Sequence, residues 1–132
     1  MTAFQPPLRR ASFELLRALL HTLHFGVISF MMVGWIFCHT RALHLVLMAL
    51  IALSWFGLGY FRGFGYCLIT DWQWRLMAYL GEEAPSGGYI KYLGERLTGW
   101  PLDNDRVDRL TTGAFASAVI ASLATSRLYG FC

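Results

Sequence analysis

The chain predicts an all-α integral membrane protein with three transmembrane helices and an interfacial, amphipathic cytoplasmic segment. Three observations carry this. First, three long stretches contain no Asp, Glu, Lys or Arg: 23 residues between Arg17 and Arg41, 20 between Arg41 and Arg62, and 17 between Arg109 and Arg127. A hydrocarbon core of roughly 30 Å takes about 20 predominantly apolar residues in a helix. Second, hydrophobic residues make up 56% of the 132 residues and charged ones only 14%, well under the charge content of ordinary soluble domains. Third, the Lys and Arg residues are unevenly spread. With the N-terminus cytoplasmic, nine lie on that side (Arg9, Arg10, Arg17, Arg62, Arg75, Lys91, Arg96, Arg106, Arg109) against two outside (Arg41, Arg127). That is a strong positive-inside bias. It places the chain in a cell inner (cytoplasmic) membrane, multi-pass, with the C-terminus outside. A net charge of +3 is too small and dispersed for nucleic-acid binding.

Pro6 and Pro7 suit the entry to a first helix. Its early turns, with Arg9, Arg10, Glu14 and Arg17, lie ahead of the span at residues 18–38. The absence of an early small-x-small site argues against a cleaved signal. Only His39, Thr40 and Arg41 separate it from the second span, residues 42–61, so the two form a tight hairpin. Residues 62–109 then leave the membrane as a glycine- and aromatic-rich interfacial loop with short helices at 72–80 and 89–97. In the second of these, Ile90, Leu93 and Leu97 share a face. Asp103 or Asn104 caps the last helix, with Asp105 and Asp108 at its positive end. The third span covers residues 110–128, and the whole is a single membrane domain.

The third span has little bulk. Gly113, Ser117, Ala121 and Thr125 recur every fourth residue, and Ala114, Ala118, Ser122 and Ser126 run alongside. Small residues at this spacing let helix backbones approach closely in lipid. The first ridge is the candidate surface for helix packing or partner contact.

The four histidines form two pairs at opposite ends of the hairpin, His21 with His24 and His39 with His44. They are interfacial or packed histidines in the simpler reading, because a bis-histidine haem needs ligands at similar depth and zinc needs more ligands than appear here. His24, deepest in its apolar run, is the candidate for a cofactor or quinone-type contact. Three cysteines leave two readings open. They are isolated thiols, or Cys38 and Cys132, both emerging on the outer face at similar depth, form a disulfide. The richest polar constellation is the interfacial motif Cys67, Thr70, Asp71, Trp72, Trp74 and Arg75. There, Thr70 or Asp71 caps a helix, Asp71 pairs with Arg75 at i, i+4, and the tryptophans sit at headgroup level.

The stretches Gly65-Tyr66-Cys67-Leu68-Ile69-Thr70-Asp71-Trp72-Gln73-Trp74-Arg75 and Gly88-Tyr89-Ile90-Lys91-Tyr92-Leu93, continuing through Arg96-Leu97-Thr98-Gly99, resemble a bacterial family of small membrane proteins, domain-of-unknown-function family 2784. Leu68 stands where that family commonly has proline, and Gln73 where it has an acid or histidine. The resemblance implies the topology above and supplies no activity. No Walker loop, nucleophile elbow or paired metal-binding motif is present. The expected role is therefore non-enzymatic: an accessory or assembly subunit of a larger membrane complex, in contact with the bilayer and other membrane subunits. The alternative is a small membrane enzyme, or a quinone-, haem- or other cofactor-binding protein acting on a lipid-soluble substrate. The sequence leaves the cofactor unassigned.

Overall fold

Pro7 occupies the first position of α1, Pro7–Val33, where its missing N–H and fixed φ cost nothing. The computed structural model describes residues 6–132, which are all-helical with no strand among them. A 3₁₀ turn at Cys38–Thr40 leads into α2, Arg41–Ala52. A π-helical stretch, Leu53–Leu58, runs on into the single turn α3, Gly59–Arg62. Then come α4 (Leu68–Tyr79), α5 (Tyr89–Thr98) and α6 (Asn104–Tyr129). Two helices are long and apolar enough to cross a membrane: Pro7–Val33 and the continuous run Cys38–Arg62. α6 matches them in length but is richer in small and hydroxylated residues, and it does not reach that apolarity.

The first helix ends at Val33, five residues short of the expected boundary at 38. The cause is tertiary. Gly34 lies directly beneath the His44 ring, where a Cβ would stand 2.7 Å from Cδ2 and 2.9 Å from the Phe30 ring. The hairpin therefore spans Gly34 to Thr40, closed by the Thr40 hydroxyl donating to the Gly34 carbonyl at 2.7 Å.

α2 turns Arg41, His44 and Met48 inward, a set spaced at i, i+3 and i+7. His44 is fully buried and joins three helices. Its Nε2 lies 2.9 Å from the Met31 carbonyl on α1, and its Nδ1 lies 3.0 Å from the Ser122 hydroxyl on α6. A carbonyl only accepts, so Nε2 carries the hydrogen and Nδ1 accepts from Ser122. Around this clamp Met31, Met48, Phe115 and Ala118 form the apolar core, with Trp55 and Ile51 against it.

The inward ridge of α6 is Ala118 and Ser122, flanked by Phe115. Of the ridge singled out in the sequence, Gly113 and Ser117 are exposed, while Ala121 and Thr125 are half-buried. Contact within the chain thus falls on the neighbouring ridge.

Asp103 caps α6, its carboxylate accepting from the Asp105 amide at 3.3 Å. At the far end Cys132 is bonded to Cys38, with Cα atoms 5.4 Å apart. Arg41, buried beside this bridge, donates to the Gly130 carbonyl at 2.9 Å and to the Trp35 carbonyl at 3.2 Å, and lies over the Tyr129 ring. The bridge occupies both sulfurs, so the neighbouring Cys38, His39 and Cys132 do not form a metal site in this state.

Replacing His44 by Ala leaves the Ser122 hydroxyl and the Met31 carbonyl without a partner and opens a void at the three-helix junction. The unfolding free energy is expected to fall by about 2–5 kcal/mol, and Ser122→Ala by about 1 kcal/mol, in denaturant titrations of the purified protein. A His44→Ala variant as stable as the parent contradicts the clamp.

Candidate functional site

At the end of the molecule opposite the disulfide, α4 and α5 pack on α1 and α6. α4 begins at Leu68, ahead of the expected start at 72, so Thr70 and Asp71 lie in its first turn and do not cap it. Cys67 is the residue preceding the helix, and it offers no side-chain cap. The inner face of α4 is Thr70, Gln73, Leu76 and Met77. That of α5 is Tyr89 and Lys91, not the Ile90–Leu93–Leu97 stripe, whose last member is 78% exposed.

These faces meet α1 at its two histidines. The Gln73 side chain is fully buried, and its amide nitrogen lies 2.7 and 2.9 Å from the two ring nitrogens of His21. The Tyr89 hydroxyl stands 3.2 Å from His21 Nδ1. One turn deeper, the His24 ring stacks on the Tyr89 ring, centroids 3.8 Å apart at an interplanar angle of 14°. His24 is 7% exposed and its Nδ1 has no hydrogen-bond partner, and Gln73 Oε1 is likewise unpartnered. Orphaned buried polar atoms are uncommon, and the second one here belongs to Gln73, which acts on the His24 ring as a hydrogen-bonding neighbour. Burial, with Tyr92 close by, pushes the Tyr89 phenol above its ordinary pKa, so it is a neutral hydroxyl.

His24 and Tyr89 line a cavity of about 410 Å³. Its floor is apolar, made of Val27, Ile28 and Met31 from α1 with Ile51 and Trp55 from α2 and the π-helical stretch. Its mouth is polar, with Arg62, Thr70, Asp71, Lys91, Asp108 and Thr111. The rim is the chain between α3 and α4. It leaves α3 through Gly63, whose φ of 109° excludes other residues, and is pinned by Ser54 Oγ donating to the Tyr66 carbonyl at 2.9 Å. The π-helical stretch that holds Ser54 and Trp55 shifts the helix register here, and such insertions recur at functional sites.

Cys67, Thr70, Asp71 and Trp74 of the interfacial motif line this cavity. Trp72 and Arg75 face outward, and Arg75 pairs with Asp71 at 2.9 Å. Cys67 is the free thiol. The structure brings His24 to this site but not His44, whose two nitrogens are engaged elsewhere. Sequence reasoning missed Tyr89 and Lys91 and set Gln73 aside. A usable signal was the matching i, i+3 spacing of His21/His24, Thr70/Gln73 and Tyr89/Tyr92, which gives three helices one polar face each.

A second recess lies on the other side of the His21–Tyr89 pair, lined by Glu14, Arg17, Glu82, Tyr92 and Arg96. Arg17 binds Glu14 at 2.8 Å and also Glu82, tying α1 to the turn after α4. On α5, Lys91 donates to the Ser86 carbonyl and hydroxyl at 3.3 and 3.2 Å and sits 3.4 Å from Glu95.

Together these features define a small all-helical protein with two long apolar helices and a half-polar cavity at one end. The chain belongs to the family described as Protein of Unknown function (DUF2784), whose model matches residues 14–127. No curated protein and no solved structure matches it.

Glu95 accepts from the Leu102 amide at 2.9 Å, which with Lys91 holds its carboxyl below the usual carboxylate range. Its folded pKa thus lies below the unfolded value. The contribution is complete above the ordinary carboxylate pKa and is lost as pH falls through the folded value. Protection of the Leu102 amide in hydrogen exchange, corrected for intrinsic rate, should hold from neutral pH through that range and drop only at more acid pH. Glu95→Gln should remove the pH dependence; an unchanged profile contradicts the link.

Proposed function

We propose that this chain is a multi-pass protein of a bacterial inner membrane that holds the polar end of a lipid-soluble amphiphile in the cavity beneath α4 and α5. The observation that carries this is the cavity itself, an apolar floor joined to a charged mouth with the buried His24 ring in its wall. Cavities of this size, mostly apolar with a few placed polar groups, are the usual form of small-molecule sites. The depth profile, apolar below and ionic above, is that of a molecule whose head faces water and whose chain lies in lipid.

The membrane setting has its own support. Among the described residues, seven of the buried ones are polar or charged and seven are hydrophobic, while Leu19, Leu23, Phe25, Leu43, Val46, Leu50, Leu53 and Phe56 are exposed. A water-soluble fold inverts that balance. In this reading α6 is the third span. Thr111 and Thr125 donate back to carbonyls of the helix at 2.7 and 2.8 Å, and Ser122 bonds His44, which lowers the cost of these hydroxyls in lipid. The N-terminus and the α4–α5 end are cytoplasmic, on the nine-to-two Lys and Arg distribution. Holding such a molecule suits an accessory or assembly subunit. The exposure of Gly113 and Ser117 favours a further helix, from a partner subunit, against α6.

Protein purified in mild detergent should yield a lipid-soluble molecule at about one per chain on solvent extraction and mass spectrometry. Ile28→Trp, which fills the floor, should reduce the recovery to a small fraction, and equal recovery from both overturns the proposal.

Orientation is read by thiols. In right-side-out vesicles an impermeant maleimide should label nothing before reduction, and Cys38 and Cys132 after it. Labelling of Cys67 from the outside reverses the topology.

A further inference from the structure

The mouth of the cavity carries charges of both signs. Arg62 and Lys91 supply two cations, Asp71 and Asp108 two anions, and all four line the same opening. Two of them are uncommitted: among the described residues neither Arg62 nor Asp108 enters an ion pair. Arg62 lies over the Tyr66 ring, 5.9 Å from its centroid, and is otherwise exposed. Asp71 shares its charge with Arg75, whose side chain is 65% exposed and turned away from the cavity lining.

Resting on the amphiphile reading above, we infer that the occupant's head is a zwitterion, a phosphate joined to a primary ammonium, as in an aminoethyl phospholipid. Arg62 faces the phosphate and Asp108 faces the ammonium, while Lys91, held by Ser86 and Glu95, and Asp71, paired with Arg75, stay engaged within the chain. Arginine matches phosphate oxygens through its planar fork, and a primary ammonium offers three N–H donors that carboxylates accept. An anionic head without the ammonium leaves the unpaired Asp108 against a negative group, and a cationic head leaves Arg62 opposed. The mouth rejects both by like-charge contact, and that repulsion makes it selective. One layer down, the His24 ring lies beside the ester region, and Val27 and Ile28 meet the first methylenes of the chains. At about 410 Å³ the cavity takes the head and the ester region and leaves the chains to run out along the apolar helix faces.

The test is native mass spectrometry of delipidated protein offered equimolar phosphatidylethanolamine, phosphatidylglycerol and phosphatidylcholine of identical chains. The expected result is a bound ratio favouring phosphatidylethanolamine over phosphatidylglycerol by about fivefold or more, with phosphatidylcholine, which keeps the charge but lacks N–H, below phosphatidylethanolamine. Asp108→Asn should bring the first ratio toward one, and Arg62→Gln should lower retention of both lipids without bringing it toward one, both variants checked for parental helicity by circular dichroism. Equal or preferential retention of phosphatidylglycerol overturns the zwitterion, as does a preference that survives Asp108→Asn. Phosphatidylcholine matching phosphatidylethanolamine overturns the ammonium. In these cases lipid is still bound and the cavity reading stands, whereas retention of no lipid at all by the parent protein removes both.

Discussion

The three long helices are held in register by one imidazole. His44 has no access to solvent, and its two nitrogens reach helices on opposite sides, the Met31 carbonyl and the Ser122 hydroxyl. A leucine of similar volume would fill the space but fix neither the height nor the rotation of the neighbours. Two directional bonds from a rigid ring fix both. They also dictate local sequence: Gly34 is where the hairpin must pass beneath the ring, and Ser122 is the small hydroxylated residue that lets α6 come close. Where apolar packing alone gives little orientation, this kind of constraint decides the arrangement.

The clamp also explains why the cavity lies where it does. Close approach of α1, α2 and α6 around His44 uses the small ridge of α6 and the methionines of the core. Towards the other end Phe115 and Trp55 enlarge the side chains between the helices, ring centroids 5.0 Å apart, and Trp55, carried by the π-helical stretch, lines the cavity floor. The helices cannot close there. α4 and α5 cover the gap with polar inner faces, so the space they enclose has an oily floor and an ionic rim. The His21–Tyr89 pair then separates this space from the charged recess around Arg17.

Much of the helical layout was legible in the residues, and its limits are instructive. The run without charge between Arg41 and Arg62 lies within the helical run Cys38–Arg62, which ends at the arginine that closes it. Residues 89–97 form a helix in fact bounded by Gly88 and Gly99, the latter in the left-handed conformation glycine favours. The first helix was read too long because absence of charge says nothing about a close approach to a ring 10 residues on. On α5 the shared face of Ile90, Leu93 and Leu97 is not the buried one: Tyr89 and Lys91 turn in, held by His24 and Ser86, while Leu97 stays out. Gln73 looked like a departure from a family pattern; its burial against His21 depends on how α4 rolls on α1, which no spacing within α4 encodes. The resemblance drawn from the Gly65–Arg75 and Gly88–Gly99 stretches agrees with the family model that matches residues 14–127.

The bond between Cys38 and Cys132 turns most of the polypeptide into a covalent ring, since 94 positions separate the two. Of the described residues, only those before Cys38, α1 and the start of the hairpin after it, lie outside the ring. A protease that cuts once within the exposed Gly81–Ala84 stretch therefore releases no fragment: the two pieces stay on one molecule until a reductant reaches the bridge. The consequence is for bookkeeping at the bench as much as for the cell. A nicked chain and an intact one have nearly the same mass under non-reducing conditions, and only the reduced gel tells them apart.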